Sequence, residues 1–125
     1  MSADHAIEVK NLRKVYPSGT VALKDVSCQI KQDDFVAILG ASGAGKSTLL
    51  RCMNRLIAPT AGELLLNGHN IADVSGRKLR HVRERVGIIF QQFNLVPRLS
   101  VMENVLAGRL AHCKNPVRHL LSLTR

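Results

Sequence analysis

Aromatic side chains are scarce in this sequence. Phe, Tyr and Trp together make up 3% of residues, with three Phe, a single Tyr and no Trp. The interior must therefore be built from Leu, Ile, Val and Ala, and stacking platforms of interleaved aromatics for single-stranded nucleic acid are missing. Long apolar runs are also missing. The longest, around Phe35 to Ala41, falls far short of the roughly 20 residues that a membrane-spanning helix needs. The N-terminal Met1-Ser2-Ala3-Asp4-His5 has neither a basic region nor an apolar one, so no signal peptide is expected. Cysteine is sparse and odd in number: Cys28, Cys52 and Cys113 form no C-x-x-C pair. That argues against a disulfide framework or a zinc knuckle and points to a reducing compartment. Acidic residues are few as well, 9 against 18 Lys and Arg, for a formal net charge of +9.

What is present fits one globular domain. There are 125 residues, 46% of them hydrophobic and 22% charged, which is enough apolar material for a core. Five of the basic groups stand in the run from Arg77 to Arg85. A basic run invites a nucleic-acid reading, but it is more simply a solvated helix face.

Ile7-Glu8-Val9-Lys10-Asn11-Leu12 alternates apolar and polar residues, the pattern of a half-buried strand. Tyr16-Pro17-Ser18-Gly19 has turn chemistry, and Val21, Leu23 and Val26 open a second strand running towards Ile30, so the two form a hairpin. Phe35 to Leu39 is apolar on both faces and predicts a central parallel strand covered on both sides. Leu49, Leu50, Met53, Leu56 and Ile57 recur at helical spacing, placing a helix from near Lys46 that Pro59-Thr60-Ala61-Gly62 ends. Glu63 to Leu66 reads as a strand entering a tight turn at Asn67-Gly68. Ser75 caps a basic helix with a thin stripe of Leu79 and Val82, and Val86 to Phe90 is a second all-apolar strand. Ser100 caps a further helix carrying Val101, Val105, Leu106 and Leu110, and the last dozen residues give a weak, basic helical signal. Apolar strands alternating with helices predict an α/β fold with a mainly parallel core sheet and an antiparallel β hairpin at its N-terminus.

One motif carries chemistry. Gly40-Ala41-Ser42-Gly43-Ala44-Gly45-Lys46-Ser47 fits G-x-x-x-x-G-K-[ST], the P-loop. Its four fixed positions match by accident at roughly 10⁻⁵ to 10⁻⁴ per site. It also follows an apolar strand and opens a helix, as the mechanism requires. Glycines at 40, 43 and 45 let backbone N–H groups converge on phosphate at the positive end of a helix. Lys46 adds a point charge for the β- and γ-phosphates, and Ser47 offers a hydroxyl to Mg²⁺.

With Thr48 added, these residues resemble the form found in nucleotide-binding domains of ABC transporters. Lys24-Asp25-Val26-Ser27, Pro59-Thr60-Ala61-Gly62 with Asn67-Gly68, Val86-Gly87-Ile88-Ile89-Phe90-Gln91, and Leu95 to Val105 resemble further segments of that family, so the likeness covers about residues 7–110. It implies a P-loop NTPase core, with residues 1–98 the N-terminal part of the ATP-binding core and 99–125 the start of a helical subdomain. The segment Phe90 to Ser100 with Asn104 to Leu110 is most similar to ATP-binding subunits of phosphonate importers. Polar amino-acid and methionine importers share much of it.

The resemblance also implies roles. Residues 40–48 would bind ATP, Tyr16 would stack on adenine, and Ser47 and Gln91 would reach Mg²⁺. Gln91, at the head of a Q-loop of about residues 91–97, is the one catalytic position carried over. Read without the family, Tyr16 is a strand-end tyrosine and Gln91, beside Gln92, a polar residue closing a strand. Phe93, Leu95, Val96 and Leu99 would either receive a helix of a transmembrane partner or be buried within the domain. The implied partners are permease subunits and a second copy of the ATP-binding subunit, not nucleic acid. The implied place is the cytoplasmic face of a bacterial membrane.

Hydrolysis needs carboxylates to hold Mg²⁺ and to position water. The family supplies them from an apolar strand ending in Asp-Glu, but the apolar runs here end at Gly40, Asn67 and Gln91. The Leu-Ser-Gly-Gly-Gln signature is absent too, since Val74-Ser75-Gly76-Arg77 precedes the Q-loop rather than following it, and none of the five histidines follows such a strand, so none carries over as the switch histidine. The expectation is an incomplete cassette, inactive as an ATPase by itself and exposing apolar surface.

Overall fold

The computed structural model describes residues 5–108. The predicted weak helical signal near the C-terminus therefore lies outside the described residues, as do Cys113 and the end of the helix running to Leu110. The fold divides into two compact units, residues 1–83 and 84–125.

In the first unit, β1 (His5–Val15) and β2 (Val21–Lys31) form the expected antiparallel hairpin. The register shifts between Val9 and Leu12, where Asn11 takes a positive φ of 47°. Such a bulge changes the parity of the strand, so Val9 and Leu12 both reach the core although three positions apart. β3 (Ala61–Leu66) adds to the other side of β1, and the two-residue β4 (His69–Asn70) completes a sheet ordered β2-β1-β3-β4. Asn67 and Gly68, both at positive φ, make the tight turn between β3 and β4.

The helix α1 (Lys46–Met53) turns Leu49, Cys52 and Met53 inwards. They join Val9, Leu12, Leu23 and Leu64 of the sheet, together with Ile71, Ala72 and Val82, in one core. It contains no aromatic side chain, as the composition required. α2 (Gly76–Arg85) carries the basic run and buries only Val82, with Leu79 half-buried, which is the thin stripe expected. In the second unit α3 (Val101–Gly108) begins after Ser100.

The expected parallel strands differ. Residues 35–39 and 86–90 belong to no strand, and the sheet among the described residues is entirely antiparallel. Phe35 and Leu39 are 98% and 91% exposed, and Ile89 is 91% exposed. A central parallel strand exists only through neighbours on both edges and cover on both faces. No described segment provides a ladder for either stretch. Their apolar composition is that of buried strands, but the partners that would bury them are not among the described residues.

Candidate nucleotide-binding site

The loop from Gly40 to Gly45 leaves the exposed apolar segment and feeds α1. Its last residue, Gly45, caps the helix at φ 85° and ψ 0°, with no side chain bonded to the first-turn N–H groups. Glycine is required there twice over. The angle is left-handed, and a Cβ would stand 2.4 Å from the Ala22 carbonyl oxygen and 3.1 Å from Leu23 Cδ2. The phosphate-type loop is thus pressed against β2. Gly43 also sits at positive φ, 81°. Ala44 N–H donates to Ala41 O at 3.2 Å and Leu49 N–H to Gly45 O at 2.8 Å, closing the turn and the first helical bond.

Lys46 curls back over the loop. Its ammonium donates to Gly40 O at 2.7 Å and Ala41 O at 2.6 Å. Ala41, Ser42, Gly43, Ala44 and Ser47 are exposed. Backbone N–H groups at the helix start and one basic side chain therefore stand together on an exposed loop, an arrangement suited to anions. A magnesium nucleotide fits this donor set: N–H groups and an ammonium for phosphate, and the exposed Ser47 hydroxyl for the cation.

Tyr16 belongs to the same place. Its hydroxyl lies 3.3 Å from Thr48 Oγ1, within the first turn of α1. The backbone around it is pinned repeatedly. Tyr16 N–H donates to Thr20 O at 2.9 Å, and Gly19 N–H returns to Tyr16 O at 2.8 Å. Thr60 N–H donates to Arg13 O at 2.8 Å, and Val15 N–H donates to Thr60 Oγ1 at 3.0 Å. Pro59-Thr60-Ala61-Gly62, read from the sequence as a helix end and as a segment resembling the family, also braces the end of β1. The ammonium of Lys14 stands 5.5 Å from the Tyr16 ring centre and donates to Ala58 O at 2.7 Å. Sequence reasoning missed Lys14 and Thr60. The only available signal was the i, i+2 spacing of Lys14 and Tyr16 at a strand end, which puts both on one face.

Gln91 belongs to the second unit, exposed at the start of a turn that follows residues 87–90. Beyond it Leu95, Val96, Pro97, Leu99, Val101 and Val105 line an open groove of about 530 Å³. Phe93, Leu95, Val96 and Leu99 are 73%, 65%, 46% and 38% exposed, so of the two readings burial within the described part of this unit does not apply. Asn104 shapes the groove. Its Oδ1 accepts from Val96 N–H at 2.9 Å, and its Nδ2 lies 3.0–3.2 Å from the carbonyls of Val96, Leu99 and Ser100.

A profile described as ABC transporter matches residues 23–125. The chain belongs to the ABC transporter family. It is 59% identical over 106 residues to the phosphonates import ATP-binding protein PhnC 3 of Halalkalibacterium halodurans, covering 85% of this chain and 41% of that protein. It is 52% identical over 109 residues to the phosphonates import ATP-binding protein PhnC of Nitratidesulfovibrio vulgaris, covering 87% and 41%. Among solved structures, the dimeric ATP-binding cassette MJ0796 in a post-hydrolysis state bound to ADP and Pi superposes with a TM-score of 0.79 at 38% identity, over 86% of this chain and 48% of that one. The chain spans about two fifths of the length of the curated relatives it matches. The expected P-loop ATPase fold is thus supported by sequence and by architecture, and the family is one of transport ATPases.

Proposed function

We propose that this chain is the nucleotide-binding part of the ATP-binding subunit of an ABC importer. Mg-ATP is taken on residues 40–48, with the base against Tyr16. The observation that carries the reading is the 3.3 Å approach of the Tyr16 hydroxyl to Thr48, which sets the chain's single tyrosine ring beside the phosphate-type loop. Backbone N–H groups of the loop and the ammonium of Lys46 neutralise phosphate charge. The two carbonyl bonds of Lys46 hold it ready while its third N–H stays available. The Ser47 hydroxyl would hold Mg²⁺, which supplies further charge neutralisation on the phosphates when bound.

In the complete protein, ATP hydrolysis would drive uptake of a phosphonate or a related oxyanion. This substrate follows from the 59% and 52% identity to phosphonate import proteins. A permease helix would rest in the apolar groove at Leu95 to Val105, two copies of the subunit would sandwich ATP, and the assembly would sit on the cytoplasmic face of the membrane. No described helix is long and apolar enough to cross one. The sequence has no apolar strand ending in Asp-Glu, so this chain binds ATP without turning it over.

Calorimetric titration with Mg-ATP tests both halves. Binding should weaken at least about ten-fold in Lys46→Ala, since an ammonium–phosphate contact is charge-assisted. Binding indifferent to that change would overturn the site. Steady phosphate release abolished by Lys46→Ala would overturn the claim of inactivity. A second reading, a module completed by a separate chain, is favoured by the unpaired apolar stretches 35–39 and 86–90. Co-purification with a chain bearing a signature and an Asp-Glu strand would support it.

A further inference from the structure

Tyr16 has two faces, and they are not equivalent. The ammonium of Lys14 lies 5.5 Å from the ring centre, within the range of a cation–π contact. It is anchored there by a 2.7 Å hydrogen bond to Ala58 O, in the segment leading to the brace at Thr60. The hydroxyl end of the ring is tied to Thr48 of α1 at 3.3 Å. Ring and cation are therefore fixed by contacts from two different elements.

We propose that Lys14 is a positioning residue for nucleotide binding: its tethered ammonium occupies one face of Tyr16 and presents the other to the base. This rests on the reading of residues 40–48 and Tyr16 as a Mg-ATP site. A ring fixed at its hydroxyl but free on both faces can still rotate about its side-chain torsions, and a stacking base must bear the cost of ordering it. A cation held on one face removes that freedom in advance. It also keeps the base off the side where it would meet Ala58. Lys14 does not touch the phosphates in this scheme, so its effect is confined to the base.

That separation defines the experiment. The 125-residue chain is titrated with Mg-ATP and with Mg-tripolyphosphate, which has the phosphates but no base. Because Tyr16 is the only tyrosine, a tyrosine-labelled sample gives one set of ring signals by NMR. The wild-type chain should bind Mg-ATP more tightly than Mg-tripolyphosphate, with the ring signals shifting only for ATP. Lys14→Met should weaken Mg-ATP roughly two- to five-fold, the range of an exposed cation–π contact, and leave Mg-tripolyphosphate unchanged. Lys14→Arg, which can both donate to a carbonyl and cover the ring, should restore it. Lys14→Met added to Tyr16→Leu should cause no further loss. Equal binding of the two ligands by the wild-type chain would overturn base stacking, and the role of Lys14 with it. An ATP preference unaltered in Lys14→Met would overturn the role of Lys14 alone. Equal weakening of both ligands would also overturn it, since a general loss of charge or structure does that.

Discussion

Gly45 sits where three constraints meet: the end of the phosphate-type loop, the cap of α1 and the backbone of β2. Its left-handed φ of 85° disfavours any residue with a Cβ, and the Ala22 carbonyl 2.4 Å from the ideal Cβ position cannot move without disturbing the hairpin. Gly45→Ala should therefore destabilise the chain by about 2 kcal/mol or more, as strain at a special backbone angle combines with a backbone clash. Urea unfolding with tyrosine emission as the probe measures this. A loss below about 0.5 kcal/mol would mean that loop and strand separate easily. The identity of this glycine was readable in the motif, but its contact with β2 was not, because nothing local to residues 40–48 announces which strand lies behind them. Arg55 shows the limit from the other side. It is only 7% exposed, at a positive φ of 58°, with Nη2 on Val74 O at 3.0 Å while Nε and Nη1 have no hydrogen-bond partner among the described residues. Burial lowers its pKa, partly countered by Asp73. A buried arginine breaks the composition rule from which a core is read, so the apolar pattern gave no hint of it.

Elements were legible where their signals are local. The β1–β2 hairpin follows from alternation and a Pro-Ser-Gly turn, and α1 from spacing after a glycine. The start of α3 follows from Ser100 ahead of an apolar helical pattern, and the structure pairs that serine with Glu103. That last pair closes a capping box: Glu103 N–H lies 3.3 Å from Ser100 Oγ, and Ser100 N–H donates to Glu103 Oε2 at 2.7 Å. The Ser100 hydroxyl, and after it the Ser100 backbone N–H, hold the Glu103 carboxyl below its ordinary range. A carboxyl with a depressed folded pKa contributes stability that is present above its unfolded value and is lost as pH falls through the folded one. The first turn of α3 should therefore fray on acidification below the usual carboxylate range, while residues away from α3 do not follow it. Amide exchange at Glu103 and Asn104 between about pH 6 and about pH 3 reports the change. Ser100→Ala should weaken the turn by about 1 kcal/mol already at neutral pH and flatten its dependence on pH. An unchanged profile in that variant would show that the cap does not hold the helix. The Asn104 clamp on residues 96–100 was not visible in advance. An asparagine inside a helix signals nothing until the preceding turn is seen to fold back onto it.

At the scale of the whole molecule, sequence and structure part over the two apolar stretches. Composition marks residues 35–39 and 86–90 as strands buried on both faces, and the same residues lie outside any ladder. Both statements hold, because a parallel strand is a property of its neighbours as much as of its own residues. The consequence is testable without reference to nucleotide. Phe35, Leu39 and Ile89 are each more than 90% exposed, and an open apolar edge is a template for pairing with other chains. Concentrated solutions of the chain should therefore associate, measured by sedimentation or light scattering. Phe35→Glu combined with Leu39→Lys should raise the soluble monomer fraction severalfold. The same pair should change the unfolding free energy by no more than about 1 kcal/mol, the sum of two surface substitutions. A destabilisation of several kcal/mol would instead mean that these side chains are packed in solution, as a cavity or a buried charge would then be created. That outcome would place the segment back in a covered strand. An unaltered tendency to associate would move the sticking surface elsewhere, and the apolar groove at Leu95 to Val105 would be the next to receive charges.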